Sequence, residues 1–270
     1  MMARYKLVQQ DPETRLWRVQ ALVDIRPGVV RGDIGGWVEG EHNLTQDITS
    51  TAWVYGEAMV CGQAQVYGGA RVSGQARIYG QAQVQGGARV WGEAQVYGGA
   101  QVYEDARVYG KALVCEKAQV FGQALVCGGA QVYQEARVSG QAQVFGEAQV
   151  YGKALVCGGA VWGEALVYGE AQISGQARVY GEALVHGQAH VQKVCIHLQQ
   201  PRYSLTATDT HLIMGCQVHT WEAWLGRGFI AKLGREYGYS PPEIALTRKL
   251  IRALHQQCLG IVSAQQHQQP

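Results

Sequence analysis

From Thr51 to Gln192 the chain repeats one six-residue phrase, Ala-x-Val-x-Gly-x, as in Ala58-Met59-Val60-Cys61-Gly62-Gln63. Val or Ile recurs at every sixth position from Val54 to Val156 and again from Val161 to Val191, which makes 24 repeats with one phase slip between Ala160 and Val161. A short fixed period dictates the architecture before any local propensity does. Glycine falls every sixth residue rather than every third, so its abundance signals a solenoid and not collagen. Ala-x-Val-x alternates inward and outward residues, which is strand periodicity. Gly-x then breaks the strand, because glycine reaches backbone angles closed to other residues. A helix is excluded, since a glycine every six residues costs about 1 kcal/mol each relative to alanine. Three strands and three corners close an 18-residue triangular coil, so 24 repeats predict eight coils. At the usual strand spacing this prism is on the order of 40 Å long.

Only Val and Ala point inward in this scheme, leaving a narrow, dry interior with no room for a ligand. The outward positions carry the chemistry. Residues 18 apart stack on one face, which sets Tyr79 under Tyr97 and Tyr133 under Tyr151; after the slip the interval of 17 brings Tyr168 onto the same face. Trp91 and Tyr109 occupy the same outward position of other repeats, Gln65, Gln83, Gln101 and Gln119 share one face, and Arg71, Arg89 and Arg107 share another. Stacked aromatics and glutamine ladders stabilise parallel coils by themselves. The functional reading is that the Tyr, Trp and Arg positions form a binding surface for a flat partner: a second subunit, a glycan or a base. Three corners depart from glycine, Glu104, Glu116 and Gln134, of which the last two stack. They read as tolerated corner substitutions or, with Asp105 and Lys117, as a polar site. The slip at Ala160-Val161 predicts a local kink or bulge.

The flanks divide the chain into a β N-terminal cap and lead-in coil (1–50), the repeat (51–192), an α+β C-terminal cap (193–262) and a disordered Gln-rich tail (263–270). Tyr5 to Val8 and Leu16 to Ile25 read as strands, Arg26-Pro27-Gly28 as a turn, and Trp37 as the cover of the open end of the hydrophobic column. Beyond the repeat, Val194 to Leu198, Tyr203 to Thr206 and Leu212 to Val218 read as strands. Thr220 to Tyr237 contains a helix capped by Thr220, with Trp221, Trp224, Leu225 and Ile230 on its apolar side and Gly226 and Gly228 weakening it. Ser240-Pro241-Pro242-Glu243 starts a second helix with a capping Ser, a Pro in the first turn and a Glu three residues on. Ile244, Leu250, Ile251 and Leu254 are the residues this helix buries. Cys195, His197, Cys216 and His219, with His211, have zinc-ligand chemistry but not the spacing of a two-pair zinc knuckle. The expectation is a packed strand without metal.

The Ala, Val and hexad spacing over 51–192 resemble the hexapeptide-repeat superfamily of left-handed parallel β-helices, whose best-known members are trimeric acyltransferases. In this chain glycine falls one place later than in that motif, as in Val66-Tyr67-Gly68. This variant, with the Gly35-Gly36-Trp37-Val38 lead-in, resembles a loop-less bacterial and phage subgroup that carries a transferase label. Gly215-Cys216 with His219-Thr220-Trp221-Glu222 is similar to a tail of phage-type repeat proteins. The resemblance implies left-handed coils, and hence the expected fold: a mainly-β, single-stranded, left-handed parallel β-helix with a cap at each end. It also implies a catalytic histidine at a groove between subunits, for which His186 is the candidate. His190 is the other prism histidine, and no insertion interrupts the coils.

Charge sets the remaining limits. Lys and Arg total 23 against 21 acids, and only 193–270, with eight basic and four acidic residues, is mildly basic. Nucleic acid is therefore not the expected partner. No apolar run approaches the ~20 residues of a membrane span. The first residues carry no apolar h-region, and the seven cysteines have no partner one coil away, which fits free thiols and a cytoplasmic location. The function expected is a rigid, non-enzymatic scaffold without a cofactor. It presents its ladders for self-association, a trimer being one form, or for a protein or glycan partner. The alternatives are an acyltransferase acting through His186 and a glycan- or polymer-binding module. Ice binding is not expected, since the regular Thr rows it requires are absent.

Overall fold

The structure is a computed structural model that describes residues 3–193, 195–199 and 203–266. Each repeat contributes a two-residue strand, 24 of them from Trp53–Val54 to His190–Val191. They stack in parallel into three sheets, one per face of a triangular prism. Partners lie one coil apart, as in Val72↔Val90↔Val108. The ladder is continuous: Arg89 N donates to Ala106 O at 2.9 Å and Trp91 N to Val108 O at 3.0 Å. Every Ala and Val at the inward positions from Ala58 to Val156 is wholly buried, in one column of the core. Eight coils follow a partial one, built where Val38 pairs with Val60 and Leu44 bridges to Val66, so the solenoid has about nine turns.

The corners explain why glycine is spaced so strictly. Gly122 has φ 70, and a Cβ added there would stand 2.8 Å from the Gly140 nitrogen of the next coil. The corner therefore combines a left-handed backbone with close approach of the next coil. Glu104, Glu116 and Gln134 adopt the same conformation, with φ 58, 59 and 60. Two of them gain a compensating contact, because Glu104 Oε2 accepts the Gly122 N–H at 2.9 Å and Gln134 Oε1 accepts that of Gly152 at 2.8 Å.

At the slip the strand ladder keeps its register, with Gln143↔Ala160↔Arg178 and Val144↔Val161↔Val179. The expected bulge does not appear in the pairing. The lost residue is taken out of the corner instead, where Gly158 has φ 153 and Gly159 φ 71. Gly159 stands in the inward place that alanine holds elsewhere: its carbonyl accepts Gln143 N–H at 3.0 Å, as that of Ala142 accepts from Leu125. Ala160 is shifted to an outward position.

Strands β1 (Tyr5–Gln10), β2 (Trp17–Ala21) and β3 (Ile34–Val38) extend one face of the prism. β1–β2 and β2–β3 are antiparallel, and β3 runs parallel to Met59–Val60. The second expected strand stops at Ala21, and the chain turns at Pro27-Gly28, where Arg26 bridges to Val29. Trp37 does not close the column. It pairs with Met59 in an outward position, donates its indole N–H to Glu57 at 2.9 Å and carries the Arg18 guanidinium 4.0 Å above its ring. Tyr5, Val19, Leu44 and Trp53, all at most 1% exposed, close the end instead. β3 crosses so close that a Cβ on Gly36 would meet Val54 Cγ1 at 2.6 Å. Buried Arg4 ties the cap down, donating to Ser50 O at 2.8 Å and Ala52 O at 2.7 Å.

At the other end a four-stranded antiparallel sheet, Cys195–Gln199, Ser204–Thr208, His211–Met214 and Gln217–Thr220, packs against the last coil. Val194, the expected start of the first strand, lies outside the described residues. The single strand expected over Leu212 to Val218 is a hairpin, because Gly215 turns the chain at φ 56. The single helix expected after Thr220 is two, α1 (Trp221–Leu225) and α2 (Phe229–Glu236), divided at Gly226 to Gly228. Thr220 does cap α1, its hydroxyl accepting from Ala223 N. Trp221, Trp224 and Ile230 are buried, whereas Leu225 is 37% exposed. Helix α3 (Pro241–Gln266) begins with Glu243 reaching back to accept from the Ser240 N–H and hydroxyl, the glutamate half of a capping box, and buries Ile251 and Leu254. It runs through the first residues of the stretch expected to be a disordered tail; 267–270 lie outside the described residues.

Candidate binding surface

The outward residues sort onto three faces. On the first, the position after each valine forms a column of rings. Tyr79 and Tyr97 lie 4.8 Å apart and 2° from parallel, and Tyr133, Tyr151 and Tyr168 follow at 4.9 Å each. His186 ends the column, 4.7 Å from Tyr168. Cys115 stands between Tyr97 and Tyr133, and its hydrogen bond with Tyr97, together with burial, pushes that phenol up to about 12. Burial also raises Tyr79, Tyr133, Tyr151 and Tyr168, so these phenols are neutral at neutral pH. The tyrosines are fixed sideways as well as by stacking. Tyr79 donates to Gln95 Oε1 at 3.2 Å and Tyr133 to Gln149 Oε1 at 3.1 Å. These glutamines escaped the sequence reading, although Tyr followed 16 residues later by Gln is a visible signal for the contact.

The second face carries Arg71, Arg89 and Arg107 in direct register. Beside them Trp91 stacks on Tyr109 at 4.4 Å, and further along Phe145, Trp162 and Tyr180 form a second stack. The ion pair among the described residues is Arg18–Glu57, so these three arginines in register have no carboxylate partner there. Arg26 sits at the end of the row, where burial first, and then the charges of Arg71 and Arg89, depress its pKa. The third face bears the glutamine ladder, with Gln119 donating to Gln101 at 3.2 Å.

His186 lies inside the structure. It is 8% exposed, burial lowers its pKa, and its Nε2 stands 3.4 Å from Gly215 O. Among the described residues no carboxylate lies within ion-pairing distance to orient it, as a general base requires. The zinc-type residues are dispersed. Cys195 pairs with Thr208, His197 with Thr206 and His219 with Leu212, while Cys216 is exposed at the hairpin turn. Among the described residues no group of three His, Cys, Asp or Glu is placed to hold a metal ion. All seven cysteines are free. No helix of the described residues is long and apolar enough to cross a membrane.

These stacked parallel coils are those of a β-solenoid repeat protein. The family model of the YdcK beta solenoid repeat matches the chain at residues 100–116 and 171–187, one stretch on either side of the slip. A comparison with curated proteins finds no match.

Proposed function

We propose that this protein is a rigid, non-enzymatic scaffold whose tyrosine face docks a protein surface, in the first place a second copy of the chain. The observation that carries this is the unbroken column Tyr133–Tyr151–Tyr168–His186, with every ring within 8° of its neighbour. Such a column is preorganised, since stacking and the Gln149 contact have already removed the side-chain freedom that association otherwise has to freeze. Half-buried neutral rings offer large contact area at small desolvation cost. The enclosed His186, paired with a backbone carbonyl and not with a carboxylate, supports a scaffold over an acyltransferase.

Light-scattering mass tests the proposal. The wild type is expected as an oligomer at micromolar concentration, and the Tyr133→Ser/Tyr151→Ser double variant as a monomer of unchanged circular dichroism. A monomeric wild type would overturn self-association. A second reading rests on the arginine face. Three arginines in register, without carboxylate partners among the described residues and next to the Trp91–Tyr109 stack, suit an acidic glycan or similar polyanion. An array of acidic and neutral polysaccharides, read for wild type and for the triple Arg71→Gln/Arg89→Gln/Arg107→Gln variant, decides it.

A further inference from the structure

At the N-terminal end of the tyrosine face the column of rings is interrupted. Tyr79 is covered on one side by Tyr97. On its other side the next place in the column belongs to Cys61, and the one beyond that to Glu39, as the pairings Val60↔Ile78 and Val38↔Val60 dictate. A thiol is too short to cover a phenol ring. The loop joining β1 and β2 reaches over the opening and leaves a cleft of about 580 Å³ whose lining includes Arg15, Leu16, Glu39, Cys61, Arg77 and Tyr79.

The cleft is built rather than incidental. Arg15 has φ 60, and its backbone is held on both sides: its N–H donates to Asp11 O at 2.9 Å, and its carbonyl accepts from Gln10 Nε2 at 3.0 Å. Leu16 is buried, and its carbonyl accepts the Asp11 N–H at 2.8 Å. Neither Arg15 nor Arg77 has an ion pair among the described residues. Glu39, the acid in the cleft, already uses Oε2 to accept the Gly62 N–H at 2.6 Å. Two guanidiniums against one engaged carboxylate leave the site net positive. Two strand spacings, roughly 9.6 Å, separate the level of Tyr79 from that of Glu39. A ring placed midway would therefore lie as far from Tyr79 as Tyr97 does.

We propose that this cleft binds a single ring bearing an acid group, an aromatic or sugar carboxylate or phosphate. The ring stacks on Tyr79 in the place that Cys61 leaves open, and the acid group is held by Arg15 and Arg77. Arginine forks suit carboxylate and phosphate oxygens, and a tyrosine face accepts either an aromatic ring or the C–H face of a sugar. The site is separate from the docking surface around Tyr133 and Tyr151, and it stands whether or not the chain self-associates.

Calorimetric titration of the full chain with benzoate, glucuronate and uridine monophosphate tests this and separates the three sources of the acid. At least one is expected to saturate the protein, and its neutral counterpart (benzamide, glucose or uridine) to bind at least about tenfold more weakly. Cys61→Tyr, which supplies the missing ring, is expected to abolish binding without lowering the melting temperature. Arg15→Gln and Arg77→Gln are each expected to weaken it by about tenfold. Arg77→Gln is a safe control for folding, since the same place in the next coil is already Gln95. Failure of all three acids to saturate, equal binding of the neutral counterparts, or undiminished binding by Cys61→Tyr or by both arginine variants would overturn the proposal.

Discussion

His186 stacks on Tyr168 with 4.7 Å between ring centroids, so the tyrosine column ends in an ionisable ring. It also lies where the solenoid meets its C-terminal cap, with Gly215 O at 3.4 Å and Val218 packed over neighbouring Gly187. Burial lowers the pKa of His186, and likewise those of His197 and His211 in the cap sheet. Their folded values thus lie below the unfolded one, so the unfolded chain binds more protons in the window between them. The stability they contribute is complete above about pH 6.5 and is lost as pH falls through the folded values. Hydrogen exchange at pH 7.5 and pH 5 should therefore show protection falling over 204–220 while the strands around Val108 stay protected. His186→Phe keeps the stack and should remove part of that acid sensitivity. Equal protection at both pH values would contradict the assignment.

Arg107 and Val108 are adjacent in sequence and lie on opposite sides of the prism wall, one exposed and the other wholly buried. Val108→Asp puts an unpaired carboxylate in the dry column and is expected to cost about 3–5 kcal/mol. Arg107→Asp on the outer surface should cost less than about 1 kcal/mol. Urea unfolding of the two variants measures the contrast.

The repeat was legible in the sequence because each of its constraints is local and recurs 24 times. The stacks of Tyr79 on Tyr97 and Tyr133 on Tyr151 follow from counting residues per coil. The ends were not legible in that way. A cap is built once, from residues distant in sequence, so its partners leave no period to read. Arg4 with Ser50 and Ala52, and Tyr5 with Leu44, are of this kind. Trp37 was misplaced for the same reason: a large apolar residue beside a turn looks like a lid until β3 is seen to pair with Met59. The Cys61 cleft needs both kinds of information, the period to find the missing ring and the fold to bring Arg15 over it.

Gly122 and Glu104 test the two halves of the corner argument. Gly122→Ala forces a side chain into a left-handed backbone 2.8 Å from the next coil's nitrogen, and a loss of about 1–3 kcal/mol is expected. Glu104→Gly relieves strain at φ 58 but surrenders the hydrogen bond to Gly122 and frees the unfolded chain. These effects oppose one another, and the net change is expected within about 1 kcal/mol of zero. Melting temperatures of the two variants decide whether corner glycines are retained for space and conformation together.

The slip offers the sharpest test, because it makes one substitution harmful or harmless according to spacing. Gly159 occupies an inward place where alanine is the rule, yet a Cβ there would stand 2.3 Å from Ala177 O. The shortened corner holds Gly159 at φ 71, a left-handed conformation that aims a Cβ at the next coil. Gly159→Ala is therefore expected to destabilise the chain by about 2–4 kcal/mol, through overlap with backbone that has nowhere to move. Inserting a glutamine between Gly158 and Gly159 restores the six-residue spacing from Val156 to Val161, and Gly159→Ala then completes the Val-x-Gly-x-Ala-x-Val phrase. In that background the same alanine becomes an ordinary inward residue, and the double change should melt within a few degrees of the wild type. If alanine were as harmful with the insertion as without it, the crowding at Gly159 would have to come from something other than the missing corner residue.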